Sequence, residues 1–284
     1  MKKENNMSYE LPFAVDLSDK IVVVTGAGGV LMREFAKALA ACRARVALLD
    51  INEAALAEVA AEIGENALPL TTNCLDKAAL LAAREAVHAK WGKVNFLING
   101  AGGNNPRATC DNETMSPDTP DDIKSFFGLE ESGLRFVFDL NITSAFLTTQ
   151  VFAEDMVKTG GNIINISSMN GFRPLTKIPA YSAAKAGISN FTEWLAVHFA
   201  PCGIRVNAIA PGFFVTHQNR DLLFKDGEPT PRTHKILGHT PQGRFGDVSD
   251  LIGTLLFLAS DKASGFVTGT VIPVDGGFNA YSGV

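Results

Sequence analysis

Short apolar runs alternate along the chain with longer segments that carry apolar residues at helical spacing. The runs are rich in Val, Ile and Leu, as in Ile21–Thr25, and polar or glycine residues follow them. Near-continuous apolar runs of this length are typical of parallel strands buried on both faces. The pattern predicts about seven strands, at residues 21–25, 45–49, 67–71, 94–98, 161–167, 204–209 and 271–274.

The intervals between these strands have the apolar spacing of helices. Helices are predicted at residues 30–41, 53–63, 77–90, 136–158, 179–200 and 247–259. A regular alternation of strand and helix requires right-handed crossovers, which cover both faces of a parallel sheet. The predicted fold class is therefore α/β, a single doubly wound domain of about seven parallel strands, with no internal repeats.

Three segments lie outside this alternation. Residues 1–17 read as a polar lead-in, so the domain is expected to occupy residues 18–284. Residues 103–134 are polar and contain three prolines, which indicates a long inserted loop. Residues 213–246 are rich in Pro, Gly and charge, and we interpret them as a lid over a substrate. The insertion either contacts a ligand or serves only as a solvated flap.

A glycine-rich turn follows the first strand and opens the first helix. Gly26, Gly28 and Gly29 lie in the sequence TGAGGVLM. A strand, a glycine turn and a helix in this order let the backbone approach a pyrophosphate, which the helix N-terminus attracts. Asp50 follows about 20 residues later, where a carboxylate can bind both ribose hydroxyls and repel a 2′-phosphate. The unit indicates a Rossmann-type domain that prefers NAD to NADP. The alternative for the glycines is a plain turn, and the alternative for Asp50 is a solvated acid in a loop.

Composition and charge narrow the classes of function. The chain has 284 residues, 46% of them hydrophobic, and a formal net charge of −5. No basic face is indicated, so nucleic acid and anionic membrane are not expected as partners. The N-terminus lacks the apolar core of a secretory signal, and no apolar run approaches the roughly 20 residues of a membrane span. Four scattered cysteines suggest reduced thiols in the cytoplasm, and His234 and His239 lack the neighbours of a metal site.

A serine, a tyrosine and a lysine form the candidate chemical centre. Tyr181 and Lys185 are four positions apart on a predicted helix, so they share one helix face. Ser168 ends the fifth strand, upstream of both. An ammonium group beside a phenol is expected to lower the phenol pKa from its usual value of about 10. Such a tyrosine can exchange a proton with an alcohol or a carbonyl whose oxygen the serine holds.

The joint order of these motifs resembles the short-chain dehydrogenase/reductase family. The resemblance covers the chain from about residue 18 and implies a fourth catalytic residue, Asn141, which would order a proton relay. Val30 and Met32 stand where the family usually has glycines. Gly100 replaces the second asparagine of the family's NNAG turn, and Asn73 stands where the family usually has an aspartate.

The resemblance also implies that a nicotinamide cofactor lies along the carboxyl ends of the strands. Lys185 is expected to bind the nicotinamide ribose and Asn73 to contact the adenine. NAD is the expected cofactor, because of Asp50. The predicted cofactor-binding residues are Gly26, Gly28, Gly29, Val30, Leu31, Asp50, Asn73, Cys74, Asn99, Gly100, Ala101, Tyr181, Lys185, Pro211, Gly212, Phe214 and Thr216.

Polar loops flank the expected nicotinamide position. A steroid or fatty-acyl pocket would be largely apolar, whereas a polyhydroxylated compound needs many hydrogen-bonding groups. Arg and Lys suit a carboxylate, so we predict a sugar acid, with Arg173 as the first candidate anchor and Lys177 as the second. For each of these two residues taken singly, the alternative is that it is a charged side chain on the solvated surface. The predicted substrate-binding residues are Asn104, Arg107, Asn170, Arg173 and Lys177, with Asn105, Gln218, Asn219 and Arg220 as polar neighbours.

Longer stretches resemble one subgroup of the family, the bacterial D-mannonate oxidoreductases (fructuronate reductases) of the short type. They include GNIINISSMN, GIRVNAIAPGFFVTHQNR and the C-terminal DGGFNAYSGV. The resemblance implies interconversion of D-fructuronate and D-mannonate with NAD(H), and a homotetramer. Two alternatives stay open: a gluconate 5-dehydrogenase-like reductase of another keto-sugar acid, and a nucleotide-sensing protein without catalysis.

Overall fold

The computed structural model describes residues 15–216 and 220–283. Residues 1–14 of the predicted lead-in, and Gln218 and Asn219 of the predicted polar loops, lie outside these ranges. The strands are β1 (Ile21–Thr25), β2 (Arg45–Asp50), β3 (Ala67–Thr71), β4 (Phe96–Asn99), β5 (Gly161–Ile166), β6 (Ile204–Pro211), β7 (Phe224–Lys225), β8 (Glu228–Pro229) and β9 (Val271–Val274).

Helices connect these strands and lie on both faces of the sheet. They are α1 (Val30–Ala41), α2 (Glu53–Ile63), α3 (Lys77–Lys90), α4 (Glu131–Phe138), α5 (Ser144–Phe152), α6 (Pro179–Phe199), α7 (Arg220–Leu223), α8 (Pro231–Gly238), α9 (Ser249–Ala259) and α10 (Asp261–Ser264).

Seven of the strands form one parallel sheet in the order β3-β2-β1-β4-β5-β6-β9. The direction of winding reverses between β1 and β4, which are neighbours in the sheet. Open α/β sheets bind ligands in the crevice at such a switch point. The strand ends predicted to hold the cofactor and the chemical centre therefore lie along one edge of the sheet.

Apolar side chains from successive strand positions fill both faces. On one face, Val22 packs in a cluster with Phe35 of α1 and Leu255 of α9. On the other, Val23 packs in a cluster with Leu80 of α3, as well as with residues of α5 and α6. Successive side chains of a strand point to opposite faces, so a doubly covered strand is apolar throughout. The predicted doubly wound α/β domain is confirmed.

The sixth strand extends two residues beyond its predicted end, to Pro211, and two elements begin two residues later than predicted, because a carboxylate holds the backbone outside the element. β4 begins at Phe96 rather than at Val94, whose amide donates to Asp155 Oδ2 at 3.1 Å. Helix α9 begins at Ser249 rather than at Asp247, whose Oδ1 accepts from the Ser249 amide at 2.9 Å. Both contacts are made by carboxylate side chains, and the apolar periodicity of a strand or helix in the sequence does not reveal them.

The helix after the insertion is longer and less regular than predicted. It begins at Glu131 instead of residue 136, and a π-helical turn, Asp139–Thr143, joins α4 to α5. The last turn, Ala153–Met156, is a 3₁₀ helix. By length and composition, the segment Glu131–Met156 is the one described helix that could cross a membrane, and 50% of its most apolar window is buried inside the protein. A core helix of a globular fold is buried in this way.

The predicted insertion and lid contain more regular structure than their composition indicates. The insertion carries 3₁₀ turns at Pro106–Ala108 and Phe126–Gly128, and its end already belongs to α4. The predicted lid contains α7, the antiparallel hairpin β7–β8 and α8. The two segments meet where Lys235 Nζ lies 2.9 Å from both carboxylate oxygens of Glu113. Whether the lid closes over a substrate stays a prediction.

Candidate active site

β5 and α6 bring the predicted serine, tyrosine and lysine together. Ser168 follows the carboxyl end of β5, while Tyr181 and Lys185 are one turn apart near the start of α6. The Ser168 side chain lies close enough to Tyr181 to influence the pKa of the phenol. Lys185 Nζ lies 5.6 Å from the centre of the Tyr181 ring and donates a 2.8 Å hydrogen bond to Ile166 O. The three side chains form one cluster at the carboxyl edge of the sheet.

Burial sets the protonation of this cluster. It raises the pKa of Tyr181 above its usual value, and the nearby Ser168 side chain offsets only part of the rise. Burial also lowers the pKa of Lys185 to about 8. The expected lowering of the tyrosine pKa is wrong for this arrangement, because the ammonium lies beside the ring and donates to Ile166 O. At neutral pH the tyrosine is therefore protonated and can donate.

Asn141 lies in the π-helical turn between α4 and α5, and it is 1% exposed. Its amide nitrogen donates to Gly103 O at 2.7 Å and to Val137 O at 2.8 Å, and its Oδ1 accepts from the Gly103 amide at 3.2 Å. A Cβ added to Gly102 would lie 2.7 Å from Asn141 Oδ1 and 3.1 Å from Lys185 Nζ. Asn141 and Lys185 thus contact one glycine segment, and π-helical turns frequently occur at functional sites.

The glycine turn after β1 lies against the turn that follows β4. Gly26 has a φ of +68°, and a Cβ added there would lie 3.0 Å from Ala101 Cα. Thr25 Oγ1 accepts hydrogen bonds from the amides of Gly100 and Ala101, at 3.0 and 3.1 Å. Two backbone turns thus meet with almost no side chain between them, at the N-terminus of α1. The residues fit a dinucleotide, whose pyrophosphate needs close backbone approach and free helical amides.

Asp50 ends β2 beside this cradle. Its Oδ2 accepts from the Gly28 amide at 3.0 Å, so the carboxylate reaches the glycine turn. Arg33, Lys37 and Arg43, the basic residues between the turn and β2, each pair with a carboxylate. These contacts fit a ribose that has both of its hydroxyls free, since a 2′-phosphate would meet the carboxylate of Asp50.

The side chains of two predicted cofactor residues face the interior, and their contacts with a cofactor stay predictions. Asn99 Nδ2 donates to Thr149 Oγ1 at 3.0 Å and to Asn165 Oδ1 at 2.8 Å, in a buried network that joins β4 to β5 and α5. Phe214 is 6% exposed and packs in the core, where its ring contacts Gly246. Only the backbone of these two residues can face a cofactor.

The other predicted cofactor residues are at the same edge of the sheet. Asn73 is exposed and Cys74 is buried just after β3, where burial raises the pKa of the Cys74 thiol to about 12. Pro211 and Gly212 stand at the end of β6, and Thr216 follows. Their contacts with a cofactor stay predictions. Within the described residues, no group of three or more His, Cys, Asp or Glu could hold a metal ion.

Three predicted substrate residues lie in the loop between β5 and α6. Asn170 is 5% exposed; its backbone amide donates to Ser168 Oγ at 3.2 Å, and its Oδ1 has no hydrogen-bond partner among the described residues. Arg173 is exposed. Lys177 is partly buried, and its carbonyl accepts from the Cys110 amide of the insertion at 2.8 Å. The loop that connects Ser168 to Tyr181 along the chain therefore carries one buried acceptor and two cations.

The two predicted substrate residues in the insertion are engaged within it. Asn104 Nδ2 donates to Thr109 Oγ1 at 2.9 Å. Arg107 Nε lies 3.7 Å from Glu130 Oε2, and a Cβ added to Gly133 of α4 would lie 2.6 Å from Arg107 Cβ. Among the described residues, no contact joins either side chain to the catalytic cluster, so their role in substrate binding stays a prediction.

Thr25 and Met32 are residues of the site that the sequence pattern did not assign to it. Thr25 joins the two backbone turns through its hydroxyl. Met32 is 4% exposed, and its Sδ lies 2.2 Å from the position of a Cβ added to Gly100. A signal was present in the sequence, because Met32 and Gly100 both depart from the motifs that the chain otherwise resembles.

Comparison with known proteins finds similarity along nearly the whole chain. The family described as Enoyl-(Acyl carrier protein) reductase matches residues 30–279. An oxidoreductase of Haemophilus influenzae, described as uncharacterized, is 55% identical over 274 residues, which are 95% of this chain and 96% of that protein. A 2-dehydro-3-deoxy-D-gluconate 5-dehydrogenase of Escherichia coli is 33% identical, over 94% of this chain and 98% of that protein.

A solved structure shares the same architecture. It is a crystal structure of a Haemophilus influenzae protein, provisionally named a D-mannonate oxidoreductase, with bound NAD. The two chains are 54% identical and superpose with a TM-score of 0.92, over 95% of this chain and 98% of the other. With sequence matches of this extent and the same fold, the chain belongs to the short-chain dehydrogenase/reductase family of oxidoreductases.

Proposed function

We propose that the protein interconverts a keto group and a secondary alcohol on a sugar acid with NAD(H), and that D-fructuronate and D-mannonate are its substrate pair. The observation that carries the proposal is the cluster of Ser168, Tyr181 and Lys185 between the glycine cradle and the polar loop before α6. Ligands of open α/β sheets bind at this edge. The provisional name of the Haemophilus influenzae protein supports the choice of substrate.

Bound NADH supplies the hydride for reduction of the carbonyl carbon. The neighbouring hydroxyls of Ser168 and Tyr181 would together hold the carbonyl oxygen. Tyr181 donates its proton to that oxygen, and its raised pKa keeps the proton available at neutral pH. Lys185, with a pKa of about 8, is positively charged at pH 7, and its predicted part is to bind the nicotinamide ribose. Asn141 holds the adjoining glycine backbone beside Lys185, which supports its predicted part in returning the proton.

The environment of Asp50 supports NAD over NADP. Its carboxylate reaches Gly28 in the turn where the ribose would lie. The neighbouring basic residues are paired with Glu58, Glu62 and Asp16, so a 2′-phosphate would meet a negative charge with its potential partners engaged. The NAD in the Haemophilus influenzae structure agrees with this preference.

The loop between β5 and α6 supports a substrate that is both hydroxylated and acidic. Asn170 Oδ1 is a buried acceptor that a substrate hydroxyl would satisfy, since an unpaired buried acceptor costs about 1–3 kcal/mol. Arg173 and Lys177 offer cations to a carboxylate. Lys235 and Glu113 form an ion pair that joins the lid to the insertion. Lys235 is the main cause of the lowered pKa of Glu113, and the charge of Lys177 also contributes to it.

A second candidate substrate is another keto-sugar acid. The Escherichia coli relative named 2-dehydro-3-deoxy-D-gluconate 5-dehydrogenase is similar over almost the full length of both chains. The same serine, tyrosine and lysine would act on either substrate, because the anchor for the carboxylate and the reacting carbonyl are separate parts of the site. The choice between them depends on substrate length and hydroxyl positions.

The test is NADH oxidation by the purified protein with D-fructuronate, D-tagaturonate, 5-keto-D-gluconate, the 5-keto form of 2-dehydro-3-deoxy-D-gluconate and a neutral ketose, with NADPH in parallel. Preferential turnover of D-fructuronate supports the proposal, and Tyr181→Phe is the control that assigns the activity to this site. Turnover of a different keto acid moves the substrate and keeps the mechanism. Tight NADH binding without turnover of any compound would favour the nucleotide-sensing alternative.

We also propose a cytoplasmic homotetramer. Phe146 on α5 and Trp194 and Val197 on α6 are exposed by 42%, 55% and 78%. Phe146 stacks on Phe191, which links the two helices into one apolar face. Exposed apolar faces of this kind mark protein interfaces. Light scattering on the purified protein measures its mass, and a monomer would refute the proposal.

A further inference from the structure

Met32 of α1 and Gly100 of the turn after β4 contact each other inside the cofactor cradle. A Cβ added to Gly100 would lie 2.2 Å from Met32 Sδ, 2.5 Å from Met32 Cγ and 2.7 Å from Thr25 O. Side-chain carbons do not approach other atoms so closely, so the Met32 side chain and the backbone oxygen of Thr25 together leave room only for glycine at position 100. Each residue alone departs from the expected motif, and the structure shows that the two departures meet in space.

The turn that Met32 contacts reaches both halves of the site. On one side, the amides of Gly100 and Ala101 donate to Thr25 Oγ1, next to the glycine turn. On the other side, Gly102 lies against Asn141 Oδ1 and Lys185 Nζ. A shift of this turn would therefore displace the cradle relative to the catalytic residues. On the side of α1, the packing of the Met32 side chain opposes such a shift.

We propose that Met32 is a positioning residue, whose thioether packs on Gly100 and thereby fixes the turn at residues 100–102 for cofactor binding. Methionine is unbranched and polarizable, so it can fill the irregular space beside a residue that has no side chain. The inference rests on the cofactor part of the proposed function, NAD(H), and is independent of which sugar acid reacts.

Met156 provides a matched control for Met32. It is 0% exposed, and a Cβ added to Gly161 would lie 2.6 Å from its Sδ and 2.8 Å from its Cγ. Gly161 begins β5, so this second methionine–glycine contact lies at the amino end of the strand, away from the cofactor edge. Methionine to alanine removes the same atoms from the same kind of buried contact at both places.

The experiment measures the Kd for NADH by fluorescence titration, and Tm without ligand, for wild type, Met32→Ala and Met156→Ala. We expect Met32→Ala to raise the Kd about tenfold, because small misplacements of a positioned site weaken it strongly. Met156→Ala should lower Tm at least as much and leave the Kd within about twofold, because it acts on packing alone. An unchanged Kd in Met32→Ala, or equal rises in both variants, would overturn the proposal.

Two further variants show whether the contact with Gly100 is responsible. Met32→Leu keeps a similar apolar volume, so its Kd should stay within about threefold of wild type. Gly100→Ala should raise the Kd, because the added Cβ would meet both the Met32 side chain and the backbone oxygen of Thr25. A Gly100→Ala variant that binds NADH as tightly as wild type would refute the inference. Failure to turn over any sugar acid would leave these binding results unaffected.

Discussion

Lys185→Met is expected to abolish turnover without destabilising the fold. Lys185 is 4% exposed, and burial lowers its pKa from 10.5 to about 8. This lowering corresponds to about 3 kcal/mol, at about 1.4 kcal/mol for each pH unit. At pH 7 the buried ammonium is still charged, so the folded state bears that desolvation cost. Methionine has a similar length and carries no charge, so the substitution removes the cost.

One hydrogen bond offsets part of this gain. Lys185 Nζ donates to Ile166 O at 2.8 Å, and the loss of a donor to a buried carbonyl costs about 1–3 kcal/mol. We therefore expect Lys185→Met to be between neutral and about 2 kcal/mol more stable than wild type at pH 7. A buried hydrophobic side chain cut back to alanine would instead lose about 2–5 kcal/mol.

The pH dependence of the stability gives a sharper test. Lys185 releases its proton near pH 8 in the folded state, against 10.5 as its ordinary pKa. Between these values the unfolded state binds more protons, so the contribution of this group to the free energy of unfolding rises with pH. Lys185→Met lacks this rise. The stability difference should therefore shift in favour of wild type from pH 8 to pH 10.

Urea unfolding of the protein without cofactor, from about pH 7 to pH 10 and at one protein concentration, measures both effects. Lys93→Met, at an exposed position, is the control for the general response of the protein to alkaline pH. The reasoning is refuted if Lys185→Met loses more than about 2 kcal/mol at pH 7 and its difference from wild type does not change with pH.

Four other substitutions test the remaining roles. Tyr181→Phe should lower kcat by about 100-fold or more and change the Kd for NADH only a few-fold; retained turnover would remove its role as proton donor. Asp50→Ala should reduce the preference for NADH over NADPH in kcat/KM, and an unchanged preference would separate it from the ribose. Arg173→Ala should raise KM for an acidic keto-sugar but not for a neutral ketose. Asp155→Ala leaves Arg84 with Glu154 alone and removes the acceptor of the buried Val94 amide, so it should cost about 1–3 kcal/mol of unfolding free energy in urea, with kcat unchanged in the folded fraction.

Most of the fold could be predicted because its signals are local. The bounds of β1 and α1 agree with the prediction, since an apolar run, a glycine turn and a helical spacing follow one another without ambiguity. The start of β4 could not be predicted, because it depends on the Val94 amide, which bonds a carboxylate 61 positions away. The π-helical turn around Asn141 likewise depends on contacts with Gly103, which helical periodicity does not contain.

The candidate site was predictable in its residues but not in its charge states. Tyr181 and Lys185 meet because they are one helical turn apart, and the sequence contains that spacing. Their pKa values depend on burial, which only the packed structure defines. Asn99 shows a second feature that the sequence did not contain, since it stands in the expected turn while its side chain points into the core. A motif places a residue on an edge; it does not decide which way the side chain points.

Two buried charged side chains at opposite edges of the sheet, Asp155 and Lys185, differ in how well they are satisfied, and this difference fits a division between stability and function. At the amino edge, the Asp155 carboxylate accepts hydrogen bonds from Arg84, from His88 and from the Val94 amide, and these lower its pKa although burial raises it. Because that pKa is lowered, its contribution to stability is present at neutral pH and is lost as the pH falls through the folded-state value.

At the carboxyl edge, by contrast, burial disfavours the charged form of Lys185, which is nevertheless charged at neutral pH. Asn170 Oδ1 lacks a hydrogen-bond partner among the described residues. Groups left in this condition lower stability, and a bound cofactor and substrate can supply the missing partners. Substitutions at the amino edge should therefore lower Tm and spare kcat, whereas those at the carboxyl edge should lower kcat and spare Tm. The pair Asp155→Ala and Lys185→Met tests that division directly, because both side chains are buried and charged and only one lies where the reaction is proposed to occur.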